Sequence, residues 1–455
     1  MERSPGHLAL NPAQRQSPPL RWRVIGQYLP LAALALAAFL IVRNVTGDDG
    51  TTSSLATVGA NHSEVLAANI AFFEDRVIET KDSLSYNKLT NFYLQRVREA
   101  GDVSDVRRAE LSATKSLEAA PGDYAGLVNM ALVRIAQHDF AAAATLATSA
   151  HEVIPSRPDA LAILGDAQMA LGKYDEATDN YRIYLEKAPG FAAFSRQATL
   201  AEIRGNFPLA EQFWRAAVDA ERTDAPENSA WARVQLGNLL TTANRLSEAK
   251  VEFETALRVY PAYNFAQAGL AQVAAAEGDD ARATELYTKA TARVPLPQFI
   301  IALGDVYQRA GKSADAQRQF ALVGAFDQLF EANGIRNDLT LIAFALDHGG
   351  DLNLALERAR LAYAERPSLA ATDLYAWALY RAGRLDDAAK KSAEALRLGT
   401  KDPTFLFHSG MIELARGNSA TARLLLQQAF DLNPKFSVQH AAELKTALQS
   451  LKGTK

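Results

Sequence analysis

The sequence predicts an all-α chain of about ten helix-turn-helix units stacked in one dimension, preceded by a single membrane-spanning helix. Three observations carry this prediction. Alanines recur at a period of about 34 residues through most of the 455-residue chain. A glycine and a proline recur in register with them. Near the start, one uncharged apolar stretch is followed by a polar linker.

The elements follow in chain order. Residues 1–23 are rich in Pro, Ser and Gln and read as a disordered cytoplasmic tail. Residues 24–43 read as a transmembrane anchor. Val24 to Val42 carry no charge, and at about 1.5 Å per residue they reach about 28 Å, close to the hydrocarbon thickness of a bilayer. Trp22 and Tyr28 stand where interfacial aromatic residues belong. A cleaved signal peptide, giving a secreted body, is the alternative. No small-x-small site follows the apolar core directly, and Val58-Gly59-Ala60 is too far downstream. Arg3, Arg15, Arg21 and Arg23 precede the span, and Asp48 and Asp49 follow it. The cationic flank therefore places the N-terminus in the cytoplasm and the body outside. Residues 44–63 are Gly-, Ser- and Thr-rich and read as a flexible linker. Residues 64–84 are expected to form an N-terminal capping helix, with Leu66, Ile70, Phe73, Val77 and Ile78 on its packed face.

The repeats occupy residues 85–435. The key alanines are Ala109, Ala143, Ala177, Ala210, Ala249, Ala283, Ala316, Ala355, Ala388 and Ala422. Seven of their nine spacings are 33 or 34 residues and two are 39. The longer spacings place irregular joints near 221–229 and 326–338, which are expected to divide the array into three blocks. Prolines 121, 155, 189, 261, 295, 367 and 434 end the second helix of their units, because proline cannot continue a helix. Glycines 172, 205, 278, 311, 350, 383 and 417 end the first helix by supplying the left-handed turn conformation. Four residues after the key alanine stands a large apolar residue, such as Tyr181, Trp214, Phe253, Tyr287, Phe320 or Leu426. Residues 436–455 hold an amphipathic stretch, 437–451, expected to cap the C-terminal end.

These landmarks, clearest in Asp159 to Pro189, resemble the tetratricopeptide repeat, whose period is about 34 residues. The resemblance implies antiparallel helix pairs coiling into a right-handed superhelix, with a concave groove for a peptide or partner helix. Phrases such as Trp231-Ala-Arg-Val-Gln-Leu-Gly237 resemble bacterial proteins of this kind.

No chemistry is expected. The chain has no cysteine, which removes thiolate metal sites, disulfides and Cys nucleophiles. None of its seven histidines pairs with another at i, i+4. Walker, G-x-S-x-G and G-x-G-x-x-G motifs are missing. The reading is therefore of no enzyme, no catalytic or metal-ligating residues and no cofactor. Outside the arginine-rich start the chain is acidic, within an overall −4, so no nucleic-acid partner is expected. Asp279-Asp280 and Asp386-Asp387 follow turn glycines and suit the positive end of the next helix. His138 and His348 read as turn residues.

The partners expected are a protein or peptide, and the lipid bilayer through residues 24–43. The family's groove lies on the first helix of each unit. Mapped here, it offers Trp231, Asn238, Phe265, Asp305, Phe344, Asp373, Trp377, Tyr380 and Phe407, with Gln272, Gln308 and Asp347 beside them. About half of these are expected to pack within their own repeat. The lysine and asparagine set with which some family members grip carboxylate tails is lacking, with Asn238 an isolated match. The function expected is an interaction scaffold or adaptor at the cell envelope. The alternative is an accessory or regulatory subunit of a membrane enzyme or transporter.

Overall fold

The computed structural model describes residues 62–452 apart from 102, 221–225, 262 and 336–338. The tail (1–23), the anchor (24–43) and nearly all of the linker (44–63) lie outside the described residues. Among those described, no helix is long and apolar enough to cross a membrane.

The described residues form twenty-two α-helices and no strand. α1 (His62–Thr80) caps the N-terminal end. Ten pairs follow, each a helix A and a helix B: α2 and α3 (Ser83–Ala100, Ser104–Ala119), α4 and α5 (Tyr124–Ala136, Phe140–Val153), α6 and α7 (Asp159–Ala170, Tyr174–Lys187), α8 and α9 (Phe191–Ile203, Phe207–Asp219), and α10 and α11 (Pro226–Thr242, Leu246–Val259). Repeats 6 to 10 are α12 and α13 (Asn264–Glu277, Asp280–Arg293), α14 and α15 (Pro297–Arg309, Ser313–Ala332), α16 and α17 (Leu339–Asp347, Leu352–Glu365), α18 and α19 (Leu369–Arg381, Leu385–Ala395), and α20 and α21 (Pro403–Ala415, Ser419–Leu432). α22 (Ala441–Lys452) closes the array.

The repeat landmarks take the places their chemistry requires. All ten key alanines lie on B helices and are at most 2% exposed. Each predicted proline stands two residues beyond the last residue of its B helix. In four repeats the large residue four after the alanine packs onto a helix-A glycine. A Cβ on Gly165 would stand 2.4 Å from the Tyr181 ring, one on Gly304 2.3 Å from Phe320, and one on Gly410 2.6 Å from Leu426. Phe253 is wedged between Gly237 of its own repeat and Gly269 of the next. Turn residues adopt positive φ, with His138 (61°) and Asn244 (56°) standing where other repeats use glycine. Asp279 caps α13 through the Arg282 amide at 2.9 Å, satisfying an N–H that the helix itself leaves free.

Four expectations change. Ile78 is 73% exposed, because it lies about 100° around α1 from Val77, which packs with Leu66, Ile70 and Phe73. In repeat 8 the left-handed residue is Gly349 (φ 78°), not Gly350. The C-terminal helix begins at Ala441, not 437. The irregular joints do not split the core into three blocks. Trp214 meets Trp231 edge to face at 5.4 Å across the first, while Phe326 and Phe330 share one core with Leu341 across the second. The second insertion largely lengthens α15 to 20 residues, keeping those aromatic rings on a helix.

Helix B packs between its own helix A and the next one, and most A helices also pack on the next A while no two successive B helices pack comparably, so the A helices form the inner wall of the coil. The coil is tight enough for its successive turns to touch. The A–B turn of repeat n rests on the segment before repeat n + 6. Val103 of repeat 1 shares a core with Val294 and Leu296. Gln137 of repeat 2 faces Gly334. The Tyr174 hydroxyl of repeat 3 accepts the Leu369 amide at 2.7 Å. The Ile203 carbonyl of repeat 4 accepts the Thr400 hydroxyl at 2.5 Å. The Thr241 carbonyl of repeat 5 accepts the Asn433 side-chain amide at 2.8 Å. The three hydrogen-bonded pairs are 195, 197 and 192 residues apart, so one turn takes about six repeats.

Candidate functional site

Six repeats per turn decide what the inner wall can offer. Helices spaced about 10 Å apart, six to a ring, place their axes on a circle of radius about 10 Å. Subtracting a helix radius of about 5 Å, side chains included, leaves a bore only about 10 Å across, walled on every side by A helices. Burial agrees: across helices A of repeats 2 to 5, no residue with a described side chain is exposed. The wall there is a core, not an open groove.

The sequence-predicted residues divide accordingly. Trp231, Asp373, Trp377 and Phe407 are buried. Trp231 packs among Phe191 and Trp214. Asn238, Phe265, Asp305, Phe344 and Tyr380 are half-buried, and Phe265 lies edge to face on Phe299 at 5.6 Å. Trp231, Asn238 and Phe265 are apart from the others, on repeats 5 and 6. The remaining six converge on repeats 7 to 10.

There the wall opens into a cavity of about 610 Å³ at the ends of α14 and α16 and the start of α15. Asp305, Gln308, Phe320, Asp347 and His348 line it, with Val438 and Gln439 from the segment before α22. His348 Nε2 lies 2.7 Å from Asp305 Oδ1, and the ring stacks on Phe344 at 4.6 Å and sits 4.5 Å from Phe320. Reading His348 as a turn residue missed this pairing, since its partner is 43 positions away in sequence. Asp351, just beyond this turn, caps α17 through the amides of Asn353 and Leu354.

Behind the cavity lies a buried aromatic and ionic cluster. Trp377 stacks on Tyr380 at 4.8 Å and on His408 at 4.1 Å. Its indole N–H donates to Asp347 Oδ1 at 2.8 Å. His408 Nδ1 pairs with Asp373 Oδ2 at 2.8 Å. His440, from the segment before α22, places its ring nitrogens 3.5 Å from Asp347 and Glu443. Burial pulls the His440 imidazole down, and these two carboxylates overcome it and lift it to about 9, so the ring is charged at neutral pH. Burial would raise Asp347, but His440, Trp377 and His408 together hold it below the usual carboxylate range. Burial raises the Tyr380 phenol. Among the described residues, no group of three His, Asp or Glu is arranged to hold a metal ion. The cluster's chemistry is that of fixed charges and ring faces.

A second buried pair stands far from this site. Arg196 and Asp166 meet at 2.6 Å with both side chains at most 1% exposed, and the Tyr181 hydroxyl donates to Asp166 at 2.7 Å. It ties α6, α7 and α8 together.

Comparison with known proteins supplies the context. The family model described as tetratricopeptide repeat matches residues 128–190, 163–228, 234–296 and 374–435. Among curated proteins, none matches the chain. Similar solved structures include a tetratricopeptide repeat protein from Parabacteroides merdae, 19% identical, covering 53% of this chain and 96% of its own, with a TM-score of 0.40. PilF of Pseudomonas aeruginosa is 16% identical over 45% of this chain and 91% of its own, with a TM-score of 0.38. The Cut9–Hcn1 assembly of the APC/C is 15% identical over 85% of this chain and 94% of the matched chain, with a TM-score of 0.32. With ten helical pairs in register and family matches in both halves, the chain belongs to the tetratricopeptide-repeat family.

Proposed function

We propose that this chain is a protein–protein interaction scaffold of the cell envelope that grips an extended partner segment at the cavity between repeats 7 and 8. Tetratricopeptide-repeat proteins bind protein or peptide partners, and the repeat is typically a non-enzymatic interaction module. The single observation that carries the location is that the buried inner wall gives way to about 610 Å³ of open space at Asp305, Phe320, Asp347 and His348. Asp305, Asp347, Arg309 and His348, the Phe320 face and the amides of Gln308, Gln317 and Gln439 suit a peptide main chain with a polar side chain. The envelope location rests on the uncharged segment 24–42 and its arginine-rich flank.

A photo-crosslinking residue at Gln308 or Gln317 of the full chain tests the site. Both positions should give the same adduct, and Asp305→Arg should remove it. The same probe at Val251, on the outer face of a B helix, should give none. Equal adducts from Val251, or indifference to Asp305→Arg, would refute the site. A phosphatase reporter fused after residue 60 should be active if the body is outside, and inactivity there would reverse the topology.

A further inference from the structure

The charges that line the cavity between repeats 7 and 8 are already committed within the chain. His348 Nε2 lies 2.7 Å from Asp305 Oδ1. Asp347 accepts the Trp377 indole N–H at 2.8 Å and has His440 at 3.5 Å and Arg381 at 3.7 Å. The Arg309 guanidinium holds Asp280, with its Nε at 3.0 Å, and donates to the Ala275 carbonyl at 2.8 Å. A charged ligand group entering here would lose its water without meeting an uncompensated opposite charge, and that exchange is unfavourable. What the cavity leaves open is neutral. Gln308, Ser313 and Gln317 line it and are exposed.

Gln298 extends this neutral set inward. It stands on α14 seven residues before Asp305, so the two side chains leave the same face of the helix about 10 Å apart. Gln298 is 8% exposed, and neither its amide nitrogen nor its amide oxygen has a hydrogen-bond partner among the described residues. Leaving both halves of a buried amide unpaired is destabilising. A free donor beside a free acceptor is matched by one residue of an extended main chain, which offers an N–H and a C=O together. An ammonium has only donors and a carboxylate only acceptors, so either would leave half of the amide unpaired.

We infer that Gln298 is a binding residue, and that the partner is an uncharged, extended peptide segment lying along α14 from the cavity mouth to Gln298. The segment's main chain satisfies the Gln298 amide, while Gln308, Ser313 and Gln317 take neutral polar side chains at the mouth. This rests on the proposed binding role of the cavity and names its partner class.

The test selects binders to the full chain from a library of acetylated, amidated heptapeptides and reads their affinity by fluorescence anisotropy. Peptides whose binding Asp305→Arg removes should be poor in Asp, Glu, Lys and Arg. Their affinity should change less than twofold between about 50 and about 500 mM NaCl, because no ion pair forms on binding. Gln298→Leu should weaken them at least tenfold and leave the urea midpoint unchanged or higher, because it removes a buried amide that has no partner in the fold. A midpoint that falls in step with affinity would make Gln298 structural and overturn its role. Selected peptides rich in charge, a strong salt dependence, or full affinity in Gln298→Leu would overturn the inference and leave the binding role standing. Finding no peptide that responds to Asp305→Arg would overturn both.

Discussion

Two glycines that look ordinary in the repeat should behave unlike their counterparts. Gly172 and Gly205 have φ of 71° and 66°, and Gly278 and Gly383 have 89° and 75°. Alanine at any of the four costs about 1 kcal/mol in the left-handed region. The similarity ends there. A Cβ at Gly172 would stand 2.3 Å from the Pro367 carbonyl oxygen, and one at Gly205 2.3 Å from that of Gly399, each on the next turn of the coil. At Gly278 and Gly383 it would meet nothing within 4 Å. Relief of the contact requires the turns to part by about 1 Å, a strain of roughly 1–3 kcal/mol for overpacking. Parting also stretches a hydrogen bond across the seam, such as Leu369 to Tyr174, worth about 1 kcal/mol. Gly172→Ala and Gly205→Ala should therefore destabilise by about 3–5 kcal/mol, against about 1 kcal/mol for Gly278→Ala and Gly383→Ala. Urea unfolding measures the totals, and hydrogen exchange at the Leu369 amide reports the seam. The double variant should cost less than the sum, since one opening relieves both contacts. If Gly172→Ala and Gly278→Ala agree within about 0.5 kcal/mol, and the Leu369 amide keeps its protection, the packed turns are refuted.

Three further outcomes are expected. Gly304→Ala should cost about 1–3 kcal/mol by driving a Cβ into the Phe320 ring, and Phe320→Leu should recover part of the loss in thermal melts. Burial pushes the Glu202 carboxyl up to about 7, against the donation of the Trp214 indole. Its folded value exceeds its unfolded one, so its favourable contribution is complete below about 4.5 and is lost as pH rises through about 7. Glu202→Gln should flatten that decline in urea midpoints measured from pH 4 to 8, and an unchanged slope would contradict the assignment. Arg196→Met leaves the Asp166 carboxylate buried with only the Tyr181 hydroxyl. It should cost about 3–5 kcal/mol, with much of that recovered by adding Asp166→Leu.

The sequence by itself determined everything the chain encodes locally and repeats. The ten pairs, the buried alanines, the prolines after each B helix and the positive-φ turns all follow from steric rules acting within about 34 residues, so a periodic reading recovers them. His138 was placed by register alone, since no property of histidine announces a left-handed turn, whereas Asn244 emerged only from the backbone. Where the environment of a residue is set from afar, the reading thinned. His348 meets Asp305 across 43 positions. Gly172 and Gly383 look alike in sequence, and only one of them faces a second turn. Whether inner-wall positions form a groove or a core depends on the number of repeats per turn. That number is the sum of small rotations between successive repeats, each spread over many side-chain contacts and none written in a single residue. Tertiary structure alone decided that six repeats close a turn, that the turns touch, that the described wall of repeats 2 to 5 is buried, and that a cavity opens between repeats 7 and 8.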